Sequence, residues 1–125
     1  MKKIEAIIRT SKFEEVIDAL SKAGVPFLTF SEVKGIGTEH ATTQQYRGTA
    51  YDVGFIPRTL IEVVISDDKE TAVLDAIFAA AYTGHVGDGK IFVSDISEVY
   101  RIRNKDKGEK AKKNQLIPFI QTIKN

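Results

Sequence analysis

Three glycines within six residues, then a lysine and a run of β formers, make Thr83–Val93 (TGHVGDGKIFV) the stretch with the most evident chemistry. Successive backbone N–H groups in a glycine-rich loop can form an anion nest, because glycine permits positive φ and close approach. Lys90 adds a compact positive charge suited to phosphate oxygens. Two readings stand: a phosphate cradle, or a tight turn between a helix and a strand. A Walker loop is excluded, because that motif ends in Gly-Lys-Ser/Thr opening a helix and Lys90 opens a strand. Arg101 and Arg103, two residues apart on a segment expected to be extended, would face the same side and invite a polyanion between them. With Lys90 they could clamp a triphosphate if the segments meet, within one chain or across a subunit boundary. Their plainer reading is solvent-facing charge. Glu62 interrupts the apolar run TLIEVVI and reads either as solvent-facing or as an acceptor for the exocyclic amine of a base.

The elements that must position these groups follow from periodicity. Lys3–Arg9 alternates, with Ile4, Ala6 and Ile8 on one face. Ser11 followed by Glu14 predicts a capping box, Phe13, Val16, Ile17 and Leu20 follow at helical spacing, and Gly24 is the stop. Val25–Lys34 and Thr59–Ile65 read as strands. Asp67 and Glu70 open a second helix carrying Val73, Ala76, Ile77 and Ala80, and Gly84 follows it. Lys90–Ile96 reads as a fourth strand, with a further extended piece over Val99–Arg103. Ile4-Glu5 and Ile61-Glu62, Lys12 and Lys69, Asp18-Ala19 and Asp75-Ala76, and Leu20 and Ile77 all stand 57 residues apart. A strand–helix–strand unit used twice predicts an α+β fold, the ferredoxin-like βαββαβ sheet with both helices on one face.

A chain of 125 residues, 42% hydrophobic and 28% charged, suits one soluble domain. Without cysteine there is neither a disulfide nor a thiolate metal site, which fits a cytoplasmic address. Glu5 and Arg9 break the apolar run a signal peptide needs, and no segment reaches the roughly 18 apolar residues of a membrane span. Residues 105–125 carry +4, leaving −3 for the body, which argues against nucleic acid as a partner. The expected organisation is a domain over 1–104 and a basic extension over 105–125.

About twenty residues separate the second and third strands, where a hairpin of about 2–5 would suffice. This segment, about 37–57, is polar and carries Tyr46 and Tyr51. It reads as a floppy insertion or as an arm that orders on a partner and buries its tyrosines.

Tyr46–Tyr51 (YRGTAY), TGHVGDGKIFV, the lead-in Val33–Gly37 (VKGIG) and Arg101-Ile102-Arg103 occur here in an order and spacing that resemble the PII signal-transduction family over about residues 1–104. The resemblance implies a homotrimer that binds ATP or ADP in clefts between subunits. Gly87, Asp88, Gly89 and Lys90 would hold phosphates from one side, and Arg101 and Arg103 from the adjoining subunit. Gly35, Gly37 and Thr38 would close over the nucleotide, with Ile7, Thr29, Glu62 and Val64 around the adenine. The arm 37–57 would act on a membrane transporter or a regulated enzyme of nitrogen metabolism, without direct membrane insertion. Many relatives also take 2-oxoglutarate with magnesium through a glutamine and a lysine, where this chain has Glu39 and Arg58. Glu39 could still ligate Mg²⁺, but a second negative charge beside a dicarboxylate opposes it by ~1–4 kcal/mol at about 4 Å. A weakened or lost 2-oxoglutarate response is therefore expected, against the ordinary reading in which both signals are integrated. Tyr51 and Thr49 fall where some relatives are modified.

Two other classes compete. An RNA-binding module shares βαββαβ, but its aromatic motif belongs on the third strand, whereas Arg47–Tyr51 lies in the polar insertion. An ATP-using enzyme would need a base with an orienting partner, and His40 and His85 stand alone. A non-enzymatic, nucleotide-responsive regulator is the expectation.

Overall fold

The computed structural model describes residues 1–37, 45–46, 49–50 and 55–112, with backbone alone for 45–46 and 49–50. Thr38, Glu39 and Tyr51, and the side chain of Thr49, lie outside what is described, as do residues 113–125. The elements in chain order are β1 (Lys2–Ile8), α1 (Phe13–Lys22), β2 (Thr29–Gly35), β3 (Gln45–Tyr46), β4 (Thr49–Ala50), β5 (Ile56–Ile65), α2 (Glu70–Ala81), β6 (Gly89–Asp95) and α3 (Glu109–Lys112). The main sheet has the order β2-β5-β1-β6, every neighbouring pair antiparallel. β3 and β4 form a separate ribbon within the arm.

Alternation puts Ile4, Ala6 and Ile8 of β1 beside Ile61, Val63 and Ile65 of β5 on the buried face. Val16, Ile17 and Leu20 of α1 and Val73, Ile77 and Ala81 of α2 cover that row. The 57-residue repeat has a geometric consequence. Glu5 and Glu62 are repeat equivalents and also register partners, so the internal two-fold passes between them. This is the α+β, ferredoxin-like arrangement that the sequence predicts.

Helix ends differ from expectation in an instructive way. α1 stops in a Schellman motif: Gly24 takes φ +87° and its N–H donates to Ser21 O at 3.0 Å. The N–H of Val25 donates to Leu20 O at 3.0 Å, and Val25 is buried. Val25 therefore ends a helix instead of opening β2. The expected side-chain cap at Ser11 does not form, and Asp67 caps α2 no more than Ser11 caps α1. α1 and α2 are each entered through a 3-10 turn, Thr10–Lys12 and Asp67–Lys69, whose own backbone supplies acceptors. Asp67 instead pairs with the N-terminal ammonium at 3.0 Å. β5 begins at Ile56, earlier than its pattern suggests. It runs through Pro57, where it pairs with β2 but not with β1, whose pairing starts at Thr59.

Ile77 is 1% exposed between α2 and the sheet. Its replacement by alanine should cost about 2–5 kcal/mol through lost burial and the cavity left behind, read as a lowered urea midpoint with an unchanged slope.

Candidate functional site

β6 pairs with β1 from Gly89 opposite Ile8, so the glycine-rich loop sits at the C-terminal end of β1. The foot of the arm lies at the same end of the sheet, where Gly35 of β2 faces Ile56 of β5. Gly89 has φ +104°, and a Cβ there would stand 1.8 Å from Ile7 O. Gly87 has φ +103°, and Asp88 between them is not among the positive-φ residues, so the sign of φ alternates as in an anion nest. The N–H groups of Val86, Gly87 and Asp88 take no hydrogen-bond partner among the described residues.

The Asp88 carboxylate is engaged within the loop. Its Oδ1 accepts from Arg9 Nε at 3.1 Å and from the Thr83 hydroxyl, and its Oδ2 accepts from the N–H groups of Thr83 and Gly84, each at 2.9 Å. The Thr83 donors, with Gly84 and Arg9, outweigh desolvation and hold the carboxyl far below its usual range. Arg9 Nη2 also donates to Val86 O at 2.9 Å. Arg58 donates through Nη2 to Gly87 O and through Nη1 to Pro57 O, both at 3.0 Å, tying the foot of the arm to the loop. The sequence does not single out Arg9, whose partner 79 residues away is identified only when β1 and β6 pair, or Thr83, whose bonds to Asp88 within the loop carry no periodic signal.

The residues expected around a base lie on the sheet face opposite the helices. Thr29 and Glu62 are register partners, and Ile7 stands beside Lys90. Val64 is four residues along β5 from Leu60, the partner of Ile7, or roughly 13 Å at the usual rise. Within one chain Val64 thus lies apart from Ile7 and Lys90, while Glu62, two residues from both Leu60 and Val64, and its partner Thr29 lie between. Glu62 Oε2 pairs with Lys3 Nζ at 2.9 Å, and that bond, with Glu5 nearby, raises the Lys3 ammonium above its ordinary value. A groove of about 370 Å³ opens beside the loop between Phe78, Tyr82, Lys90 and Ile91. A larger one, about 490 Å³, lies between Phe13, Phe30, Glu14 and Glu32 and contains none of the expected residues.

The extended piece over Val99–Arg103 is not formed. Arg101 N–H donates to Asp106 O at 2.7 Å and Lys105 N–H to Arg101 O at 2.9 Å, closing a turn beneath the Tyr100–Lys107 bridge. Arg101 Nη1 lies 3.7 Å from Asp106, its Nη2 donates to Lys110 O at 2.6 Å, and Arg103 is exposed. The reason is tertiary: Ile96 N–H bonds Met1 O, and residues 107–112 fold back until Lys112 Nζ reaches Ser66 Oγ at 2.6 Å. These arginines therefore lie at the Met1 end of the sheet, about 20 Å of strand away from Gly87–Lys90. The two segments do not meet within the chain. Among the described residues no three His, Asp or Glu side chains cluster as metal ligands, and no helix is long and apolar enough to cross a membrane.

Fold and site together define a ferredoxin-like domain with a long arm footed beside a glycine-rich loop. The family model described as nitrogen regulatory protein P-II matches residues 1–106. The chain is 50% identical over 111 residues to a nitrogen regulatory protein P-II of Cereibacter sphaeroides, covering 89% of this chain and 99% of that protein. Identity to the P-II of Rhizobium meliloti (strain 1021) is 49% over 108 residues, covering 86% and 96% of the two chains. A P-II 2 protein of Methanothermobacter thermautotrophicus is 46% identical over 111 residues, 89% of this chain and 96% of its own. The chain belongs to the P-II family of nitrogen regulatory proteins.

Because folding lowers the Asp88 pKa, its contribution to stability is full above about pH 4, the unfolded-chain value. It is lost as pH falls from there through the folded-state value. Asp88→Asn should thus lower the urea midpoint at pH 7, and the gap to the parent should narrow between pH 4 and pH 2. A gap independent of pH would contradict the assignment.

Proposed function

We propose that this protein is a cytoplasmic nitrogen regulator that binds ATP or ADP as a homotrimer and acts through its arm, about 37–57, on a membrane transporter or an enzyme. Its action is regulatory and not enzymatic. The observation that carries this reading is the separation of the groups: Gly87–Lys90 with Ile7 at one end, and Arg101 and Arg103 at the other. A single nucleotide can use both sets only if they come from two copies of the chain. Lys90 and the N–H groups of Val86, Gly87 and Asp88, unpartnered among the described residues, suit phosphate oxygens, and the arginines of an adjoining copy suit the same oxygens from the other side. Ile7, with Thr29, Glu62 and Val64, suits the base. Gly35, Gly37 and Thr38 stand at the base of the arm, so a ligand that they close over would bias the arm's conformation. ATP and ADP switch it only to the extent that they favour different arm states.

Kinship with nitrogen regulatory proteins over nearly their full length supports the ordinary role, in which 2-oxoglutarate with Mg²⁺ is read alongside the nucleotide. A second reading, a weakened 2-oxoglutarate response, is favoured by Glu39 in the sequence and by Arg58, whose guanidinium is already committed to Gly87 O and Pro57 O.

Calorimetric titration with ATP and ADP should give saturable binding, and Lys90→Met should weaken ATP by tenfold or more, about 1.4 kcal/mol. Repeating the ATP titration with Mg²⁺ and 2-oxoglutarate decides between the two readings. Synergy supports the ordinary role, and its absence the diverged one. No nucleotide binding at all would sink both.

The cleft between copies has its own test. Lys90→Met and Arg103→Gln chains, each defective alone, should recover ATP sites when refolded together, because mixed trimers contain boundaries with both groups intact. No recovery would place the two residues in the same half of a site and refute the arrangement.

A further inference from the structure

We propose that Asp88 is a positioning residue of the phosphate loop: its carboxylate contacts no phosphate itself but holds the backbone of residues 83–89 in the shape that binds one. This rests on the nucleotide reading above. Beside a polyanion, an acidic side chain ought to be a liability. Here it is occupied by four donors, two on each oxygen: Arg9 and the Thr83 hydroxyl on one, the N–H groups of Thr83 and Gly84 on the other. Those bonds consume the N–H groups just after α2 and leave those of Val86, Gly87 and Asp88 without partners among the described residues. Arg9 extends the same brace to Val86 O, and the His85 N–H donates back to Thr83 Oγ1 at 3.2 Å. The loop is thus tied at 83, 84, 85, 86 and 88, and its donors are ordered before any ligand arrives. Preordering of this kind raises affinity by reducing the ordering cost of binding.

The two roles open to a carboxylate here predict opposite signs. If Asp88 is only a negative neighbour, Asp88→Asn removes repulsion and tightens ATP. If it positions the loop, the amide cannot accept from all four donors and ATP binding weakens. The experiment titrates the full-length chain and its Asp88→Asn and Thr83→Val variants with ATP and with inorganic triphosphate. It adds competition by adenosine and amide hydrogen exchange at Gly84. The expected result is a loss of about tenfold or more for ATP in Asp88→Asn, the same factor for triphosphate, unaltered adenosine competition and faster Gly84 exchange. Thr83→Val should move each readout in the same direction by less, and it carries the test should Asp88→Asn not fold. Unchanged or tighter ATP binding in the variants would overturn the positioning role while leaving the nucleotide site standing. A parallel loss for adenosine would show a general collapse of the cleft and overturn it too. Absence of ATP binding by the parent chain would remove the nucleotide reading, and this proposal with it.

Discussion

The arrangement of the functional end depends on one close approach. Gly89 begins β6 with its α-carbon against β1, where any side chain would stand 1.8 Å from Ile7 O. That approach sets the β1–β6 register, and the register places everything that follows. It puts Lys90 beside Ile7, brings Asp88 within reach of Arg9 just after β1, and turns Gly87 toward Arg58 at the foot of the arm. The buried row of Ile4, Ala6 and Ile8 holds β1 in place from below, so core packing and loop geometry share one strand. A register slip would send the core residues to the open face and dismantle the loop together.

Charge in the loop is arranged around guanidinium geometry. Arg9 serves a carboxylate and a carbonyl at once, and Arg58 serves two carbonyls, Gly87 and Pro57. A lysine has a single ammonium on a flexible stem and matches such divided, planar demands less well. Both guanidiniums crowd Gly87, where an added Cβ would lie 2.9 Å from Arg58 Nη2 and 3.2 Å from Arg9 Nη2. Glycine at 87 therefore answers two demands, positive φ and room for two side chains. Asp88 offsets one of these cations and leaves the loop net positive with Lys90.

Much of this was legible in the sequence, and the failures share a cause. Alternation in Ile4, Ala6 and Ile8 and the helical stripe Val16, Ile17 and Leu20 depend on local period alone, and both fall in the core. The repeat predicted the sheet, since equivalent sequences with equivalent burial needs fold alike. The glycine loop was recognisable, but the Arg9 partner of its Asp88, 79 residues away, cannot be identified by spacing. The extended Val99–Arg103 failed for the same reason. Lys107, Asp106 and Lys110, which fold back over it, carry no periodic signal of their own. The capping box failed differently: Ser11 has a suitable side chain, yet the 3-10 entry had already satisfied the donors it would have capped.

Arg58 ties the glycine-rich loop to the foot of the arm. It lies on β5 within two residues of Ile56, where the strand emerges from the arm, and its guanidinium reaches across to Gly87. β5 is also the strand that pairs with β2, so both feet of the arm, Gly35 and Ile56, are register partners on a rigid sheet. A movement of Gly87 by even a fraction of an ångström would have to be absorbed by the Arg58 bond or passed along it. The sheet beneath cannot yield, because Thr59 is buried with its hydroxyl donating to Thr10 at 3.1 Å, and Ile61 is packed in the core. Gly35 and Ile56, at the two ends of the arm, are fixed to each other by that same sheet. The packed sheet, the loop braced by Asp88 and Arg9, and the Arg58 guanidinium that reaches from β5 to Gly87 thus form one connected network among the described residues.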